Sequence, residues 1–94
     1  MSNQTNDFYK RLEKQLSDSS VWPSLYKFKF ILKSDPLEIT NLKNMFNDID
    51  ANISSNLSSS KNFTSITVTA KMRSANDIIK KYKLASEING IISL

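Results

Sequence analysis

The run Tyr26-Lys27-Phe28-Lys29-Phe30-Ile31-Leu32-Lys33 limits what this chain can fold into more than any other segment. Its apolar residues recur every second position, with Tyr26, Phe28, Phe30 and Leu32 on one side. Lys27, Lys29, Ile31 and Lys33 fall on the other. A helix would scatter the rings among the lysines, whereas a strand separates the two sets onto opposite faces. Burying an unpaired ammonium group costs several kcal/mol, so the aromatic face goes inward and the lysine face stays wet. The segment is therefore a half-buried strand.

The other elements can be placed around it. Phe63–Met72 repeats the alternation, with Ile66, Val68, Ala70 and Met72 inward and Ser65, Thr67, Thr69 and Lys71 outward. Residues 51–58 are a weaker, polar strand suited to an edge, with Ile53, Ser55 and Leu57 on one side. The turn cluster at 58–62 joins these two strands as an antiparallel hairpin. Ser34-Asp35-Pro36 reads as a cap with proline at the first helical position. Leu37, Ile39, Leu42, Met45, Phe46 and Ile49 then recur at helical spacing, and the helix runs to about Asp48.

Ser74-Ala75-Asn76-Asp77 is a capping box with a shortened acid. It opens a helix burying Ala75, Ile78, Ile79, Tyr82 and Ala85, with Lys80, Lys81 and Lys83 in solvent. Residues 90–94 form a last strand after Asn89-Gly90. At the other end, Asn6 or Asp7 caps a first helix to about Leu16, whose inner face carries Phe8, Leu12 and Leu16. Residues 17–20 end it. Pro23 holds Trp22 extended, and Trp22 plugs one end of the core.

Leaving out the first helix, the order is β-α-β-β-α-β. Two right-handed strand–helix–strand units give an α+β, ferredoxin-like two-layer sandwich: a four-stranded antiparallel sheet with both helices on one face. The expected organisation is a flexible N-terminus at residues 1–6 and a single domain over 7–94 that includes the first helix. The second sheet face is left open, unless the first helix or a partner covers it. Its candidate interaction residues are Lys27, Lys29, Ile31, Lys33, Thr67, Thr69, Lys71 and Ile91. Two readings of it stand: a solvated sheet surface, or a docking or dimerisation face.

Composition narrows the function classes. The chain has 94 residues, 39% of them hydrophobic, which is enough for one packed core. Cys and His are both absent, which removes disulfides, thiolate nucleophiles, the usual zinc sites and imidazole acid–base catalysis. No signal peptide or membrane span is visible, so a cytoplasmic location is expected. The net charge of +4 could attract an anionic partner. Yet all the basic residues except Arg11 and Arg73 are Lys, and phosphate and base recognition favours Arg forks.

Several segments together resemble a known family: Trp22-Pro23-Ser24-Leu25-Tyr26-Lys27-Phe28-Lys29-Phe30, then Ser59-Ser60-Lys61-Asn62-Phe63-Thr64-Ser65-Ile66-Thr67-Val68. They continue in Ile79-Lys80-Lys81-Tyr82-Lys83 and Ile88-Asn89-Gly90-Ile91-Ile92-Ser93-Leu94. Over residues 8–94 the chain is similar to the YbeD-like family of uncharacterised bacterial proteins, domain of unknown function 493. The chain departs from that family at Asn62, where Gly often stands in the turn; Asn tolerates the same left-handed backbone. The resemblance implies a ferredoxin-like fold related in shape to regulatory ACT-type domains. It implies no established activity and no functional residues to carry over.

Three activities of this topology can be weighed. Amino-acid binding of the ACT type needs close backbone approach after the first strand, and Lys33–Pro36 contains no Gly. RNA-recognition domains stack bases on open-face aromatics, which here are core residues. Acylphosphatase chemistry needs an Arg in the loop between Leu32 and Leu37, and there is none. No catalytic, metal or cofactor-binding residue is expected. What remains is a small non-catalytic regulatory or adaptor domain acting through an unknown protein partner or small ligand, with homodimerisation as one mode of contact. Weak, non-specific nucleic-acid binding through the lysine and hydroxyl face is the alternative, and the missing stacking platform argues against it.

Overall fold

Phe28, Phe30 and Leu32 project from one side of a ten-residue strand and are all but inaccessible to solvent. The computed structural model describes residues 3–19 and 21–94. Its elements are α1 (Asn3–Ser19), β1 (Ser24–Lys33), α2 (Pro36–Asn44), β2 (Ala51–Leu57), β3 (Phe63–Met72), α3 (Ala75–Ala85) and β4 (Ile92–Ser93). The sheet is antiparallel throughout, in the order β2-β3-β1-β4. After α1 the order is β-α-β-β-α-β, so the fold is ferredoxin-like α+β, as the sequence periodicity predicts.

The inward rows of β1 and β3 meet the helices. Phe28 packs edge-on against Phe46 at 5.0 Å and against Tyr82 at 5.4 Å between centroids. One strand ring thus reaches both the segment after α2 and α3, which places both on the same face of the sheet. Ile66, Val68, Ala70 and Met72 complete the floor, and Ala75, Ile78, Ile79, Tyr82 and Ala85 are buried on α3 as the helical spacing predicts. Trp22 packs against this core, and its Nε1 is buried without a hydrogen-bond partner.

Local chemistry sets the element ends. Asp35 caps α2, its Oδ1 accepting from the Leu37 N–H at 2.9 Å, with Pro36 at the first helical position. Ser74 caps α3, its Oγ accepting from the Asp77 N–H at 3.2 Å. The Asp77 carboxylate accepts instead from Arg73 Nε, at 3.2 Å. Asp is one methylene shorter than the Glu of a full capping box, and Arg73 lies one turn away.

Several expectations are corrected. α1 begins at Asn3, so the backbone of residues 3–6 is helical, Asn6 and Asp7 lie inside the helix, and the helix continues through Ser19. Met1, Ser2 and Ser20 lie outside the described residues. α1 packs against α3. Its contact stripe is Tyr9, Leu12 and Leu16, while Phe8 is exposed. Helix α1 therefore lies on the helical side and does not cover the open sheet face. Leu37 is exposed: five residues at about 100° each put it well off the side of α2 that buries Leu42. α2 stops at Asn44, and residues 45–48 are turn. Lys81 is not solvated but only 8% exposed. In the β2–β3 turn the left-handed residue is Lys61 (φ 65°), not Asn62.

The two sides of β1 should respond very differently to truncation. Phe28→Ala is expected to cost about 3–5 kcal/mol, the range for a buried ring. Lys27→Ala should change stability by less than about 0.5 kcal/mol. Urea midpoints of the two variants check both values.

Candidate functional site

Strand alternation builds the exposed sheet face row by row. Register sets Lys27 beside Thr69 and Asn52, and Lys29 beside Thr67 and Ser54. Ile31 lies beside Ser65 and Asn56, Lys33 beside Phe63, and Leu25 beside Lys71. Lys27, Lys29, Lys33 and Lys71 are all exposed, and Thr67 and Thr69 are half-buried. The fold therefore brings together seven of the eight candidate residues.

Ile91 is the exception. It packs against the core, and Ile92 pairs with Ile31 on the open face instead. The last strand is only two residues long, and it enters pairing after Gly90, whose backbone is left-handed (φ 81°). A one-residue offset in a strand exchanges its two faces, so the apolar spot is Ile31 with Ile92. Leu25 and Phe63, which are not among the eight candidates, are also exposed on this face. The alternation that places Lys27 outward already placed both of them there.

Electrostatically the face has one sign. The four strands contain Lys27, Lys29, Lys33 and Lys71 and no Asp or Glu. All the carboxylates lie on helices and loops. Among the described residues, the ion pairs are Arg73–Asp77 and Lys81–Asp48, and neither takes a lysine from the face. Lys83 sits over the Tyr9 ring at 5.4 Å, a contact that holds α1 to α3.

Lys81 is a structural cation. Its Nζ donates to Met45 O at 2.6 Å and to Asp48 Oδ1 at 2.5 Å, and lies 5.3 Å from the Phe46 ring centre. The hydrogen bond from Lys81, helped by its charge, holds the Asp48 carboxyl below its ordinary 3.8 against a smaller opposing effect of burial. This contact anchors the turn after α2, whose Phe46 is in the core.

A second feature lies on the opposite side of β1. Tyr26 and Tyr82 share a hydroxyl–hydroxyl hydrogen bond of 2.8 Å. Burial, and then that bond, raise the Tyr82 hydroxyl above its ordinary 10.0, so it stays protonated. The pair borders an apolar cavity of about 290 Å³ between α1, β1, α3 and the last residues of the chain. Among the described residues, no group of three carboxylates converges as metal ligands would, and no helix is long and apolar enough to cross a membrane. Comparison with protein-family models, curated proteins and solved structures finds no match.

Replacing Asp48 by Asn tests the Lys81 anchor. The carboxylate side is largely exposed, so the expected loss at neutral pH is only about 1 kcal/mol. Because the folded-state pKa is depressed, the stabilisation is complete above 3.8 and is lost as pH falls through the lower folded value. Denaturant midpoints from neutral pH down to about pH 2 should show a shallower acid decline in Asp48→Asn than in the parent.

Proposed function

We propose that the protein is a non-catalytic adaptor or regulatory domain that works by contact, docking an acidic protein surface on its open sheet face. The observation that carries this is the segregation of charge: four exposed lysines and no carboxylate on the four strands. A solvated sheet face needs charge for solubility, but both signs serve that purpose. A face of one sign steers a partner of the other sign and repels its own kind.

The face also carries what a contact needs besides charge. Leu25, Ile31 and Ile92 supply apolar area between the lysines, and Thr67 and Thr69 supply hydroxyls in the central strand. Phe28 and Phe30 are sealed in the core, and the one strand ring exposed on this face is Phe63 beside Lys33, a lone ring rather than a row that stacks successive bases. That favours a protein partner over RNA. The resemblance to the YbeD-like family agrees with a regulatory role through its likeness in shape to ACT-type domains, a warrant of fold alone.

Isotope-labelled protein titrated with poly-glutamate at low salt tests the reading. Saturable amide shifts at Lys27, Lys29, Thr67, Thr69 and Lys71 are expected, weakening as salt rises. The Lys27→Glu/Lys29→Glu variant should bind at least about tenfold more weakly, or 1.4 kcal/mol. No shift on this face, or tighter binding of a single-stranded RNA of equal charge, contradicts it.

A further inference from the structure

β1 is paired along its whole length with β3 on one side, but on the other side β4 meets only Phe30 and Ile31. One further bond, from the Leu94 N–H to Lys29 O at 2.9 Å, closes that ladder. From Ser24 to Phe28 no strand lies along this edge among the described residues. Because Lys29 turns its carbonyl toward β4, alternation turns the N–H and C=O of Lys27 and Leu25 toward the same free edge. An internal strand of the sheet thus presents unused backbone donors and acceptors over about 16 Å.

The apolar cavity lies beside this gap. Phe8 and Leu12 of α1, Tyr82 of α3, Tyr26 of β1 and Leu94 line it. A strand continuing the line of β4 would lie opposite Phe28, Lys27 and Tyr26 in turn. Its residues opposite Phe28 and Tyr26 would point to the helix side, where the cavity is. A cavity of about 150 Å³ accommodates benzene, so one of about 290 Å³ has room for an aromatic ring and an aliphatic side chain. The residue opposite Lys27 would point to the open face, next to Lys27 and diagonal to Lys29, with no carboxylate on any strand.

We infer that the free edge of β1 at Ser24–Phe28 takes up an extended peptide segment of a partner as an added strand. Its inward residues are aromatic or aliphatic and fill the α1–α3 cavity, and its outward residues are acidic. Backbone pairing supplies affinity, and the cavity with Lys27 supplies sequence preference. The acidic outward residues rest on the charge reading of the sheet face; the strand addition rests on the unpaired edge and the cavity and stands without it.

Amide exchange and shifts of the full chain, titrated with a capped six-residue peptide alternating Glu with Phe and Leu, test this. Expected are saturable shifts at Leu25, Tyr26 and Lys27, slowed exchange of the Leu25 and Lys27 amides, and shifts at Phe8 and Leu12. A peptide N-methylated at the amides facing β1 should bind at least tenfold more weakly. So should Lys27→Pro, which removes an edge donor without taking a bond from the β1–β3 ladder. The N-methylated peptide carries the same test if that variant fails to fold. A Gln-for-Glu peptide that protects the edge equally well keeps the strand addition but overturns the acidic preference. Shifts confined to Thr67, Thr69 and Lys71 overturn the edge site and leave the face reading intact. No saturable shift at all overturns the edge site, as does protection of Leu25 and Lys27 in the free protein through self-association.

Discussion

The sealing of Phe28, Phe30 and Leu32 under the helical layer is the constraint on which the rest of the structure depends. In a strand the neighbouring side chains have no choice of direction, so burying the rings expels Lys27, Lys29 and Lys33 to the opposite face. The same step decides where Phe46 and Tyr82 must sit, since both close on Phe28, and hence the side occupied by α2 and α3. It also removes the rings from any role in stacking a ligand. Fold, charge segregation and the absence of the β1 rings from the open face are consequences of one orientation.

The strands were the most legible part of the sequence, because a period of two survives without knowledge of tertiary context. Alternation placed seven of the eight candidate face residues correctly. It failed at Ile91, since a two-residue strand is too short to show its own parity and is set by where pairing begins after Gly90. Helical faces were read less well, for a related reason. The stripe of α1 depends on what it packs against: contact with α3 selects Tyr9, Leu12 and Leu16, whereas Phe8, Leu12 and Leu16 share a spacing that looks equally good. Lys81 could not be distinguished from Lys80 and Lys83 by spacing, because its burial is made possible by Asp48 and Met45 O, supplied by a turn more than thirty residues away. The free edge of β1 had no signature at all, since it arises from the shortness of β4.

The helix beyond the ferredoxin-like unit gains a physical role from that shortness. α1 lies in the helical layer alongside α3, held by the Tyr9, Leu12 and Leu16 stripe and by Lys83 over Tyr9. It does not shield the lysine face. It walls the cavity next to the unpaired part of β1 instead, so the open face and the free edge meet along the same strand. Lys27 belongs to both, with its ammonium on the face and its backbone groups on the edge. A partner could engage the two surfaces together without any movement of the core.

Amine acylation under native conditions, mapped lysine by lysine by mass spectrometry, tests the orientation of β1 most directly. Lys27, Lys29, Lys33 and Lys71 should be modified at the rate of ordinary surface lysines, with Lys81 lagging until the protein unfolds. Native protection of Lys27 and Lys29 to the degree of Lys81 would mean that the lysine side of β1 is the buried one, and would contradict the account.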